Sequence, residues 1–113
     1  MKSVLIVTVC IAYLATLLQG ADFNGKKWVV LAAASKGWSN YGDQADVYHG
    51  YHVVKSLGIP DENIILFYYN DIAYNTNNPT PGVVINTPHG PNVYEGIPLN
   101  RSYTGHDITP SVI

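Results

Sequence analysis

Two apolar runs separated by little more than one helix restrict the fold more than any other feature of the chain. Trp28-Val29-Val30-Leu31-Ala32-Ala33 has the length and β-branched content of a buried strand. Ile64-Ile65-Leu66-Phe67-Tyr68-Tyr69 is a second such run. Between them, Ser35 to Asn40 reads as a turn and Asp43 to Leu57 as a helix closed by Gly58 and Pro60. Strand, helix and strand in this order predict a right-handed βαβ unit. The fold class expected is therefore α/β, a parallel sheet with flanking helices. Ile64–Tyr69 is apolar throughout, as a strand covered by helices on both faces would be. In open α/β sheets the working residues gather at the carboxyl ends of the strands, which directs attention to Ser35–Asp43 and to Asn70 onward.

The helix carries Val47, Tyr51 and Val54 on one apolar stripe, flanked by Tyr48 and His52. Asn40 or Ser39 is expected to cap its start, and Asp43 suits the positive end of its dipole. Gly50 inside the helix sacrifices up to about 1 kcal/mol of helix propensity and points to close packing on the sheet. Asn70 to Pro81 is rich in asparagine and proline and reads as turns. Gly82-Val83-Val84-Ile85-Asn86 is expected as a short strand, and Thr87 to Tyr103 as a loop. Thr109-Pro110 has the pattern of a helix start, and Ser111-Val112-Ile113 follows directly, so the chain reads as the front of a larger domain, incomplete as it stands.

Residues 1–20 are expected to be a signal peptide. Met1-Lys2 is basic, Val4 to Leu18 is mostly apolar, and Gln19-Gly20-Ala21 offers small residues for cleavage. The apolar run falls short of the roughly 20 residues of a membrane span, so no stable membrane anchor is expected. The sole cysteine, Cys10, lies in this leader, and residues 21–113 contain no thiol. With 6 Lys and Arg against 8 Asp and Glu, and only Lys26-Lys27 paired, there is no basic footprint for nucleic acid. His49 and His52 share a helix without an evident third ligand, so no metal is expected. His106 reads as a surface residue, and Tyr48, Tyr51, Tyr68, Tyr69 and Tyr74 as core and rim packing. Ala32 to Gly37 lacks the glycine pattern of a dinucleotide site, and no cofactor is expected. Asn100-Arg101-Ser102 is a glycosylation sequon.

Several stretches in order resemble the legumain family, the asparaginyl endopeptidases of the caspase-like cysteine peptidase clan. They are Ser35-Lys36-Gly37-Trp38-Ser39-Asn40-Tyr41 with Gln44-Ala45-Asp46, then Gly58-Ile59-Pro60-Asp61-Glu62-Asn63-Ile64, then Asn70-Asp71-Ile72-Ala73-Tyr74. Asn78-Pro79-Thr80-Pro81-Gly82, Asn92-Val93-Tyr94-Glu95-Gly96-Ile97-Pro98 and Tyr103-Thr104-Gly105 continue in step. The resemblance implies a caspase-like sheet, with 21–113 as the amino-terminal part of a peptidase domain. It also implies cleavage of peptide or protein substrates after asparagine by a cysteine thiolate and a histidine.

In that family both catalytic groups fall in parts that have no counterpart here, so this chain alone is expected to be inactive. Asn40 matches the family's asparagine that orients the catalytic imidazole, and simple helix capping is its plainer role. Gly42-Asp43 departs from the family's Arg-His, whose arginine helps to bind the substrate asparagine. Tyr48 stands where relatives often carry cysteine. His89-Gly90 imitates the family's His-Gly pair, but in the register of an earlier loop. The resemblance further implies the secretory pathway, in a lysosome-like compartment or outside the cell. A lipid-anchor transamidase relative and a non-catalytic binding fragment are the competing readings.

Overall fold

The computed structural model describes residues 25–113, so the expected signal peptide lies outside the described residues. The first apolar run forms strand β1 (Val29–Ala32) and the second forms β2 (Ile64–Tyr68). Helix α1 (Tyr41–Ser56) joins them and starts two residues before the expected Asp43. Val29 pairs with Ile64 and Ala32 with Phe67, in parallel, as the βαβ reading requires. Gly58, at φ 90°, reverses the chain after the helix, a conformation that favours glycine.

Register sorts the side chains. Ile64, Leu66 and Tyr68 share one face of β2 and belong to the core. Leu31, paired with Leu66, faces α1 on the same side. Ala45, Val47, Tyr48 and Tyr51 descend from the helix onto this face, and all are buried. Tyr48, expected on the flank of the stripe, is fully buried, its ring edge-on to Tyr68 at 5.0 Å and to Tyr94 at 5.2 Å. Three aromatic rings thus close the centre of the layer. Tyr69 and Tyr74 lie at the rim, half-buried and exposed respectively.

The third strand is not the expected one. Gly82–Asn86 makes a single bridge, Ile85 to Asn92. The Asn92 carboxamide takes the Val84 N–H instead, which removes a donor that a ladder would need. Strand β3 (Tyr103–Thr104) pairs in parallel with Phe67 and Tyr68, giving the order β1-β2-β3. Tyr103 stacks on Phe67 at 5.0 Å and covers the face of β2 opposite the helix. On β1 that face stays open: Trp28 and Val30 are 58% and 60% exposed. Helical cover on both faces is therefore not present among the described residues. Thr109-Pro110 opens a turn, with the Val112 N–H donated to the Thr109 carbonyl, rather than a helix.

The long loop from Asn70 to Gly82 is ordered by Asn78, a buried side chain. Its amide donates to the carbonyls of Ala73 (2.8 Å), Val83 (3.0 Å) and Ile72 (3.3 Å), while its oxygen accepts the Thr80 N–H. A loop without regular structure meets its backbone polar groups in this way.

Candidate active site

The carboxyl ends of β1 and β2 are neighbours, so the segments leaving them meet. The Ala33 N–H still donates to Phe67 O at 2.8 Å, carrying the ladder one residue past β1. The chain then turns at Gly37 (φ 90°) into a 3-10 turn, Trp38–Asn40, that feeds α1. A Cβ at Gly37 would meet nothing within 4 Å, so the backbone angle rather than crowding selects glycine.

Asn40 occupies the N-cap position of α1, but its side chain makes no capping bond. Its Nδ2 instead donates backwards to Lys36 O at 3.0 Å, and its backbone N–H donates to Gly37 O at 3.1 Å. The expected cap is therefore absent: φ −108° and ψ 28° hold the residue in the preceding 3-10 turn, away from extended cap geometry. Asn40 is exposed, and its Oδ1 has no partner among the described residues. An exposed acceptor whose amide nitrogen is already tethered suits an imidazole N–H.

The other half of the site comes from the end of β2. Asp71 accepts the Gly37 N–H at 2.8 Å through one oxygen and the Gln44 Nε2–H at 2.7 Å through the other. Gln44 is fully buried, and its Oε1 accepts the Asn70 N–H at 2.9 Å. Asn70 itself adopts φ 66°, which asparagine tolerates, and its Oδ1 accepts from the Tyr94 hydroxyl at 3.0 Å. Burial pushes the Tyr48 phenol, one turn along from Gln44, far above its ordinary range. It stays neutral at the back of the network. Burial also pushes the Tyr68 phenol up to about 12.

Sequence reasoning missed Gln44 and Asp71. The signal for Gln44 was its position, i, i+4 and i+7 with Tyr48 and Tyr51 on the buried stripe. A polar residue there must find partners inside. For Asp71 no local signal exists, because its partners lie 34 and 27 residues away.

Gly42 and Asp43 lie on the exposed first turn of α1. The Asp43 carboxylate accepts a hydrogen bond from the Ser35 hydroxyl, closing the loop across its base. Lys36 extends over the Tyr69 ring, its Nζ 5.2 Å from the centroid, and brings one cation to the mouth of the site.

The remaining candidates are apart from this constellation. His89 is exposed in the turn between Ile85 and Asn92, at φ 60°. His49 and His52 do not converge: one ring contacts Asn86 Nδ2 at 3.2 Å, the other Val93 O at 2.9 Å. They fasten the segment after Gly82 to the helix. His106 is exposed with its ring edge-on to Tyr69. Asn100 is exposed on the 3-10 turn Leu99–Arg101.

The sequence profile of the Peptidase C13 family matches residues 27–113. Legumain of Homo sapiens is 46% identical over 109 residues, 96% of this chain and 25% of that protein. Legumain of Rattus norvegicus is 57% identical over 86 residues, 76% of this chain and 19% of its own length. A vacuolar-processing enzyme of Citrus sinensis is 52% identical over 88 residues, 78% and 17% respectively. The chain thus spans about a quarter or less of the curated relatives it matches.

Proposed function

The chain belongs to the Peptidase C13 family, and from that premise we propose that it is the amino-terminal part of a legumain-like cysteine endopeptidase cutting peptide bonds after asparagine. In this reading a cysteine thiolate attacks the carbonyl that follows the asparagine side chain. A histidine passes the proton to the leaving amine, and water then hydrolyses the acyl-enzyme. Neither group is supplied by residues 21–113 in a matching position, and the thiol is absent from them altogether.

Asn40 has the orienting role. The observation that carries it is the 3.0 Å bond from Asn40 Nδ2 to Lys36 O, which leaves Oδ1 exposed at the carboxyl end of the sheet. An amide oxygen fixed there holds an imidazole N–H in one tautomer and one orientation, the service that the third member of a triad performs. Residues 1–20 direct the chain into the secretory pathway, and exposed Asn100 carries a glycan there.

Gly42 and Asp43 support a second reading. With no guanidinium in the first turn of α1, a donor fork for the substrate asparagine is missing, and the protein is then a relative of altered specificity or a non-catalytic one.

A peptide reporter with one asparagine separates these. Residues 22–113 alone give no turnover. A longer polypeptide that carries this segment with the histidine and cysteine cleaves after asparagine, and Asn40→Ala lowers its kcat on the order of 100-fold. Turnover by 22–113 alone, surviving replacement of His89, overturns the assignment.

A further inference from the structure

We propose that Asp71 is a positioning residue for Asn40, acting through the single peptide group between Lys36 and Gly37. The inference rests on the orienting role of Asn40 and extends it to a second, distant residue.

The two ends of that peptide group are held by different parts of the chain. Its N–H belongs to Gly37 and donates to Asp71 Oδ2 at 2.8 Å. Its carbonyl belongs to Lys36 and accepts from Asn40 Nδ2 at 3.0 Å. N–H and C=O are antiparallel across one rigid plane, so turning either end turns the other. A carboxylate gripping the N–H therefore fixes the direction of the carbonyl on which the Asn40 side chain hangs. Polarisation works the same way: a charge-assisted bond at the N–H makes the carbonyl of that group a better acceptor.

Asp71 cannot itself swing. Its second oxygen takes the Gln44 Nε2–H at 2.7 Å, and Gln44 is fully buried with its oxygen on the Asn70 N–H. The peptide needs this external hold because Gly37 is otherwise soft. It is a glycine at φ 90° with open space where a Cβ would stand. The chain Gln44–Asp71–peptide 36–37–Asn40 links the buried face of α1 to the exposed amide at the tip of the sheet.

The first test uses the unaltered 113-residue chain. Nuclear magnetic resonance should detect scalar couplings across two hydrogen bonds, from Gly37 N to the Asp71 carboxyl carbon and from Asn40 Nδ2 to the Lys36 carbonyl carbon. Absence of either coupling overturns the proposal. In Asp71→Asn and Asp71→Ala, the Gly37 N–H should exchange with solvent at least tenfold faster, and the Asn40 carboxamide protons should shift and exchange with it. Retained ring-current shifts of the Tyr48, Tyr68 and Tyr94 cluster report an intact core. A freed Gly37 N–H with an unchanged Asn40 carboxamide overturns the proposal. So does loss of the fold in both variants, which assigns Asp71 to stability alone.

The kinetic arm uses the longer polypeptide with its histidine and cysteine. Asp71→Asn lowers kcat on the order of tenfold with KM unchanged, and adds nothing once Asn40→Ala is present. Additive effects overturn the coupling. If Asn40→Ala leaves kcat unaltered while the resonance couplings stand, the orienting role fails and the mechanical link from Asp71 to Asn40 survives.

Discussion

Gly50 and Leu31 meet where α1 crosses β1: a Cβ on Gly50 would stand 3.3 Å from Leu31 Cδ1. The glycine in mid-helix is therefore a contact residue, and two effects oppose each other there. Alanine gains about 1 kcal/mol of helix propensity. It also pushes the far end of Leu31, which is only half-buried and free to yield by the few tenths of an ångström required. Gly50→Ala should raise stability by about 0.5 kcal/mol in urea unfolding, whereas Gly50→Val, which crowds the same spot with two more carbons, should lower it by about 1–3 kcal/mol. A destabilised alanine variant would mean that the layer cannot shift at all.

Close packing of Gly50 on the sheet was legible in the sequence, though its partner Leu31 was not; β1, α1, β2 and their parallel pairing were legible too, because each rests on a local pattern. Apolar runs of strand length, a period near four between Val47, Tyr51 and Val54, and a closing Gly58 suffice for the unit. Strand β3 was not legible. Two residues have no period, and Tyr103 is placed by stacking on Phe67, a partner 36 positions earlier in the pairing. Gly82–Asn86 had the composition of a strand, yet the Asn92 side chain competed for its backbone and won. The residues alone offered Asn40 only as a helix cap, and the orienting role proposed for it comes from resemblance, while Gln44 and Asp71 are joined by contacts that no window of sequence contains.

Asn78 organises the longest loop, and its amide points at three carbonyls. Asn78→Ala leaves those acceptors and the Thr80 N–H without their partner in a buried place, and should cost about 3 kcal/mol. Asn78→Asp keeps the shape but sets a carboxylate oxygen against carbonyl oxygens. It should be worse than alanine by at least about 1 kcal/mol at pH 7. Urea unfolding of the two variants side by side checks the order; the reverse order would show that water reaches the loop.

Asp61 links stability to acid pH. The Tyr51 hydroxyl donates to it at 2.7 Å and Lys55 Nζ lies 3.2 Å away. The Tyr51 bond above all holds the carboxyl below its usual range; burial opposes it, and Lys55 and then Arg101 add to the lowering. A carboxyl depressed in the folded state adds stability above its unfolded value, and that stability is lost as pH falls through the folded value. Tyr51→Phe should therefore lower the urea midpoint at pH 7, and the difference from the unaltered chain should shrink as pH falls through and below the usual carboxylate range. At the alkaline end the sign reverses. Burial, then the bond to Asp61, push the Tyr51 phenol up to about 12, so its contribution is whole below about 10 and lost as pH rises through 12. A difference that stays constant from pH 7 to pH 2 would sever the link to Asp61.

Gly42 is where the proposed asparagine specificity can be tested. It lies exposed on the first turn of α1, and a Cβ there meets nothing within 4 Å. Arginine can be installed without displacing a neighbour, one residue before Asp43, whose carboxylate is already engaged by Ser35. A guanidinium fork beside Asn40 can donate two N–H bonds to the carboxamide oxygen of a substrate asparagine, which glycine cannot do. In a polypeptide that joins this segment to the proposed histidine and cysteine, Gly42→Arg should raise kcat/KM for an asparagine peptide on the order of tenfold or more, and leave an alanine peptide unchanged. Gly42→Lys, with a point charge and no fork, should recover less, and Gly42→Ala should alter only helix stability. An unchanged ratio of asparagine to alanine cleavage in the arginine variant would mean that selectivity is set elsewhere, and that glycine at this position is silent.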